Sequence, residues 1–96
     1  MNKNERDHID KVVSIGCIVC KNLQYGESPA EAHHLKEKNG LAVRASNYDV
    51  IPLCHSHHRT GGPGIAFHAT GRKEWEGKYG TQQQLLRQVK EELCQF

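Results

Sequence analysis

An α+β fold is predicted for this chain: an N-terminal helix, a cysteine knuckle, a β-hairpin with a long loop and two C-terminal helices. Three observations carry the prediction. The chain has 96 residues, only 36% of them apolar; that is one domain's worth of sequence, with too thin a core to rely on burial alone. Cys17-x-x-Cys20 and Cys54-x-x-His57 are two pairs of equal spacing, placed where a hairpin would bring them together. Apolar residues recur at helical spacing near both ends and in short strand-like runs between them.

From Asn4 to Ile15 the pattern is helical. Asn4 caps it, acidic groups fall in the first turn, Ile9, Val12 and Val13 share a face, and Gly16 ends it. Cys17 to Asn22 is a tight knuckle, and Tyr25 to Pro29 an irregular loop. Ala30–Lys36 and Asp49–Leu53 are predicted strands, with a turn at Asn39-Gly40 between them. His55 to Arg59 opens a helix that Gly61-Gly62-Pro63-Gly64 interrupts. That glycine run lacks the Lys-Ser/Thr ending of a phosphate-binding loop. Arg72 to Tyr79 is a short helix stopped by Gly80, with Trp75 and Tyr79 four apart. Thr81 and Gln84 have capping-box spacing and open a last helix, whose stripe is Leu85, Leu86, Val89 and Leu93.

Four cysteines in a short chain are compatible with two disulfides in a secreted protein. The start, Met1 to Asp7, is polar after the methionine and has no apolar signal core, and no run is long enough to span a bilayer. The expectation is therefore a cytoplasmic protein with no membrane partner, in which clustered cysteines hold metal. A gap of two residues lets both side chains of a knuckle reach one ion about 2.3 Å from sulfur. Cys17, Cys20, Cys54 and His57 would close a structural Zn²⁺ site. Cys94 lies outside both pairs. The bland alternative is that Cys17 and Cys20 simply pack beneath the first helix.

The histidines are clustered: His33-His34, then His55, His57 and His58, then His68. Neutral imidazole binds metals and titrates near neutral pH, so this grouping points to metal or proton chemistry. Adjacent residues on a strand face opposite sides, so His33 and His34 should have different tasks.

The order His33-His34-Leu35, Asp49 to Cys54, then His57-His58 resembles the HNH nuclease motif, with the paired cysteines of its zinc-bearing branch. The resemblance implies a ββα-metal domain over residues 1–96 and hydrolysis of DNA phosphodiesters. It implies His33 and His58 as ligands of a catalytic metal, His34 as general base and His68 as a third ligand. The central motif position, often Asn, falls on Asp49, with Asn47 as a nearby alternative; its implied role is to aim the base. Phe67-His68-x-x-Gly71-Arg72-x-x-Trp75-Glu76-x-x-Tyr79-Gly80-Thr81 further resembles the recombination-enhancement nucleases of phages. That similarity spans about Val12 to Val89. It implies phage or prophage origin and cutting of DNA where a RecA filament has paired strands.

Phosphodiester hydrolysis needs an aligned water, a base to deprotonate it and a cation at the phosphoryl group. One divalent ion (Mg²⁺, Mn²⁺, Ni²⁺ or Zn²⁺) meets the last need, and no carboxylate cluster of a two-metal nuclease is visible. Net charge is +2; three zinc-bound thiolates with their ion add about −1 and a second divalent ion about +2, giving about +3 when loaded. Lys36, Lys38, Arg44, Arg59, Arg72 and Lys73 are the candidate DNA contacts, and no sequence-reading element is apparent. A noncatalytic zinc module binding DNA or a recombination protein is the competing reading, but it has no use for His33, His34 and His68.

Overall fold

Asn2 opens the first helix through a reciprocal pair of hydrogen bonds. Its Oδ1 accepts from the Glu5 backbone N–H at 2.8 Å, while Glu5 Oε1 accepts from the Asn2 N–H at 3.0 Å. The computed structural model describes residues 1–35 and 46–94. Helix α1 spans Lys3–Ser14, so its cap lies two residues before the expected Asn4. The reason is side-chain length: Glu5 reaches back to Asn2, whereas the shorter Asp7, three residues after Asn4, pairs with Lys3 at 3.3 Å instead. The buried face of α1 carries Val12, with Ile9 partly covered.

The knuckle contains one short helix, α2, over Ile18–Asn22. Cys17 caps it, Sγ accepting from the Cys20 N–H at 3.4 Å. Strands β1 (Glu31–His34) and β2 (Val50–Leu53) pair antiparallel, with His33 opposite Ile51 and His34 opposite Val50. Both are shorter than expected at the hairpin end; the Asn39-Gly40 turn lies outside the described residues. Pro52 is tolerated in β2 because of register. The Leu35 N–H to Asp49 C=O bond makes that pair hydrogen-bonded, so alternation puts Pro52 and Ala32 at a position that needs no N–H.

After β2 the chain turns into a π-helix, Ser56–Thr60, as an opening helix at His55 anticipated. Gly61 ends it, and only glycine fits there: a Cβ would stand 2.5 Å from the Ser56 carbonyl and 2.6 Å from Ile65 Cγ2. Helix α3, Phe67–Thr70, was not anticipated, since four residues after a glycine run carry no periodicity. Helices α4 (Arg72–Tyr79) and α5 (Gln82–Leu93) match the expected pair, and Thr81 and Gln84 form the expected capping box.

The core joins α1, α2, the sheet, α4 and α5. Val12, Ile18, Val50, Ile51, Leu53 and Trp75 are fully buried, and Leu85, Leu86 and Val89 pack from α5. Trp75 and Tyr79 are structural: Trp75 Nε1 donates to the Ile65 carbonyl at 3.0 Å, and the Tyr79 hydroxyl to the Gly64 carbonyl at 3.2 Å. Helix α4 thereby pins the glycine loop and presents α3 to the π-helix. No described helix is long and apolar enough to cross a membrane.

Candidate metal centres

Cys17 enters from the α2 cap, Cys20 from α2, Cys54 from the end of β2 and His57 from the π-helix, and their ligand atoms converge within 4.8 Å. A tetrahedral ion at about 2.3 Å from sulfur and about 2.05 Å from nitrogen puts two sulfurs about 3.8 Å apart, and sulfur and nitrogen about 3.6 Å apart. Cys20 Sγ lies 3.8 Å from Cys54 Sγ. His57 Nδ1 lies 3.8, 3.5 and 3.2 Å from the Sγ atoms of Cys17, Cys20 and Cys54. The donors fit a zinc-like ion.

Local hydrogen bonds build the same turn twice. Cys54 Sγ accepts from the His57 N–H at 3.5 Å, as Cys17 Sγ does from the Cys20 N–H. Burial pushes the Cys17 thiol up to about 12, so a thiolate there depends on a cation beside it. Burial, with Lys78 nearby, holds His57 below the ordinary imidazole value, keeping it in the neutral form that binds metal. Cys94 is exposed and outside the cluster, as expected.

A second group forms where β1, the π-helix and α3 meet: His33, His58 and His68 bring one ligand atom each within 4.8 Å. His58 Nε2 and His68 Nε2 are 3.1 Å apart. Two nitrogens bound at about 2.1 Å with an angle between 90° and 110° would be about 3.0–3.4 Å apart. An N–H···N bond gives a similar distance, so protonation decides what the pair can do. His58 Nδ1 lies 2.6 Å from Glu31 Oε1; a carboxylate only accepts, so Nδ1 carries the proton and Nε2 keeps its lone pair. His33 is buried, its Nε2 3.0 Å from Gln82 Oε1, while His68 is exposed. One side of the group therefore faces solvent.

Glu31 was missed in the sequence, although a signal exists: it lies two residues before His33 and so shares its face of β1. Its carboxylate also accepts from Arg59 Nε at 2.7 Å and Nη2 at 3.1 Å, and sits 2.8 Å from His55 Nδ1. Arg59, joined by His58 and His55, holds the Glu31 carboxyl down at about 2. Gln82 was missed too, and a polar residue after a helix cap gives no warning of burial.

His34 turns to the other side of β1 from His33, as alternation requires. Its Nε2 meets Asn47 Oδ1 at 2.9 Å, and Asn47 Nδ2 meets Glu5 Oε2 at 2.6 Å. The expected partner Asp49 is elsewhere: its Oδ1 pairs with Lys90 at 3.4 Å. The turn before β2 accounts for this placement, because the Asp49 N–H bonds back to the Ser46 carbonyl and puts Asn47, two residues earlier, over the histidine. Of the two candidates, the side chain beside His34 is Asn47.

The candidate DNA contacts divide. Arg59 is clamped on Glu31, so its guanidinium is engaged within the chain. Arg72 Nε lies 3.1 Å from Glu76 Oε1, and Lys73 is exposed on α4. Lys36, Lys38 and Arg44 lie outside the described residues.

A sequence model of the family described as recombination enhancement, RecA-dependent nuclease matches residues 2–94 of the chain. None of the curated proteins compared with the chain matches it.

Proposed function

The chain belongs to the family of recombination-enhancement, RecA-dependent nucleases, and we propose that it is a metal-dependent DNA endonuclease of the HNH (ββα-metal) type, directed by a RecA filament. One observation carries the mechanism: the consecutive His33 and His34 are divided, the first joining a three-histidine group and the second held by Asn47.

His33, His58 and His68 would hold the catalytic ion, which when bound polarises a phosphoryl oxygen and stabilises the leaving 3′ oxygen. Glu31 orients His58 by accepting its Nδ1 proton. Asn47 Oδ1 accepts the Nε2 proton of His34, which leaves the Nδ1 lone pair to take a proton from the attacking water. Cys17, Cys20, Cys54 and His57 serve a structural Zn²⁺ that fixes the π-helix and so His58. The whole of 1–96 acts as one nuclease domain, with Lys73 and Arg72 as the described candidates for contact with the DNA backbone.

Cleavage of duplex plasmid, with and without a RecA filament on matching single-stranded DNA, tests this across Mg²⁺, Mn²⁺, Ni²⁺ and Zn²⁺. Metal-dependent cutting at the paired region is expected. Absence of cutting with every metal, filament present, contradicts it.

A further inference from the structure

We infer that Glu5, at the start of helix α1, is a positioning residue: acting through Asn47, it sets which nitrogen of His34 carries the proton. The inference rests on the reading of His34 as the base.

Two hydrogen bonds carry it, and their polarity is determined by chemistry. A carboxylate only accepts, so the Asn47 group 2.6 Å from Glu5 Oε2 is the amide nitrogen. The amide oxygen must then face His34, at 2.9 Å from Nε2. An amide oxygen only accepts, so Nε2 donates and Nδ1 is left with its lone pair. Without Glu5 the amide of Asn47 is free to turn over and offer its NH₂ to Nε2. That orientation favours the Nδ1–H tautomer, which cannot accept a proton from water at Nδ1.

Glu5 suits the task because its own geometry is fixed. Its second oxygen closes the α1 capping box on the Asn2 N–H at 3.0 Å, and its own N–H is held by Asn2 Oδ1 at 2.8 Å. The same Asn2 and Asn47 contacts hold its carboxyl below the ordinary glutamate value, so it stays an acceptor at working pH. Helix α1 thereby does more than cover the sheet: its first turn reaches a residue far along the chain and aims the side chain beside His34.

Glu5→Gln separates this role from stability, because glutamine also closes a capping box. The new amide oxygen goes to the Asn2 N–H, and the new NH₂ faces Asn47 and turns it over. Cleavage is expected to fall ~10-fold or more, within the ~10²–10⁴ available from a positioned base. Zinc content, melting temperature and affinity for the exchangeable metal should stay as in the wild type. Long-range ¹H–¹⁵N spectra of the imidazoles should show His34 moving from Nε2–H toward Nδ1–H. Adding Asn47→Asp to Glu5→Gln restores the direction of donation, since the new carboxylate accepts from both sides. The double variant should regain the Nε2–H form and most of the rate, a rescue that a merely structural contact does not produce.

A Glu5→Gln protein with the wild-type tautomer and rate overturns the inference, while His34→Ala still tests the base independently. A tautomer switch with an unchanged rate overturns both the base assignment and a catalytic role for Glu5. Loss of rate that the double variant deepens also overturns the inference.

Discussion

His57 and His58 are consecutive, yet they belong to different centres: His57 Nδ1 lies 3.2 Å from Cys54 Sγ, and His58 Nδ1 2.6 Å from Glu31 Oε1. Successive residues on the π-helix point in different directions, so one short helix serves both groups. The geometry also couples them, because whatever fixes the π-helix for the first centre places His58 for the second.

Two metal populations follow. One zinc should stay through dialysis and be removed only by strong chelation with loss of fold, and a second divalent ion should exchange freely. Cys17→Ser should abolish the first and unfold the chain, since in small metal domains binding energy is folding energy. Cys94→Ser should change neither. Elemental analysis with circular dichroism checks both statements.

Glu31→Gln removes a carboxylate that meets His58, Arg59 and His55. Loss of such outer partners typically costs ~10–100-fold in metal affinity. The exchangeable metal should weaken to that extent while the zinc remains, as read by calorimetric titration of the zinc-loaded protein. Arg59→Ala should produce a smaller loss of the same kind, with little change in the salt dependence of DNA binding. Lys73→Ala, whose side chain is exposed, should instead weaken binding evenly across sequences and reduce the salt slope by about 1.

Gly61→Ala should destabilise the protein by ~1–3 kcal/mol, the usual cost of overpacking, because its Cβ would enter the Ser56 carbonyl. The backbone shift falls on the π-helix, so cleavage should drop along with the melting temperature. Equal stability to the wild type in chemical denaturation would contradict the account of this turn.

Much of this was legible from spacing alone. The paired Cys and His positions mark the first centre because chelation by neighbouring residues imposes a gap, and strand alternation separates His33 from His34. What escaped were groups that act across long chain separations: Glu5 over Asn47, Glu31 under His58, and Gln82 beside His33. Single polar residues carry no periodicity, and their partners are set by how α1 and α5 pack on the sheet. Asp49 and Asn47 are both compatible with the motif, and the turn before Val50 sets Asn47 beside His34 and Asp49 beside Lys90. The cap at Asn2 went to the residue with the longer reciprocal partner.

His34→Ala tests the central claim most directly. Cutting of RecA-paired DNA by the purified variant should fall by ~10²–10⁴, the contribution of a positioned base. Bound zinc, far-ultraviolet circular dichroism, exchangeable-metal affinity and DNA affinity should match the wild type. A folded, zinc-loaded His34→Ala protein that cuts at the wild-type rate would contradict the account.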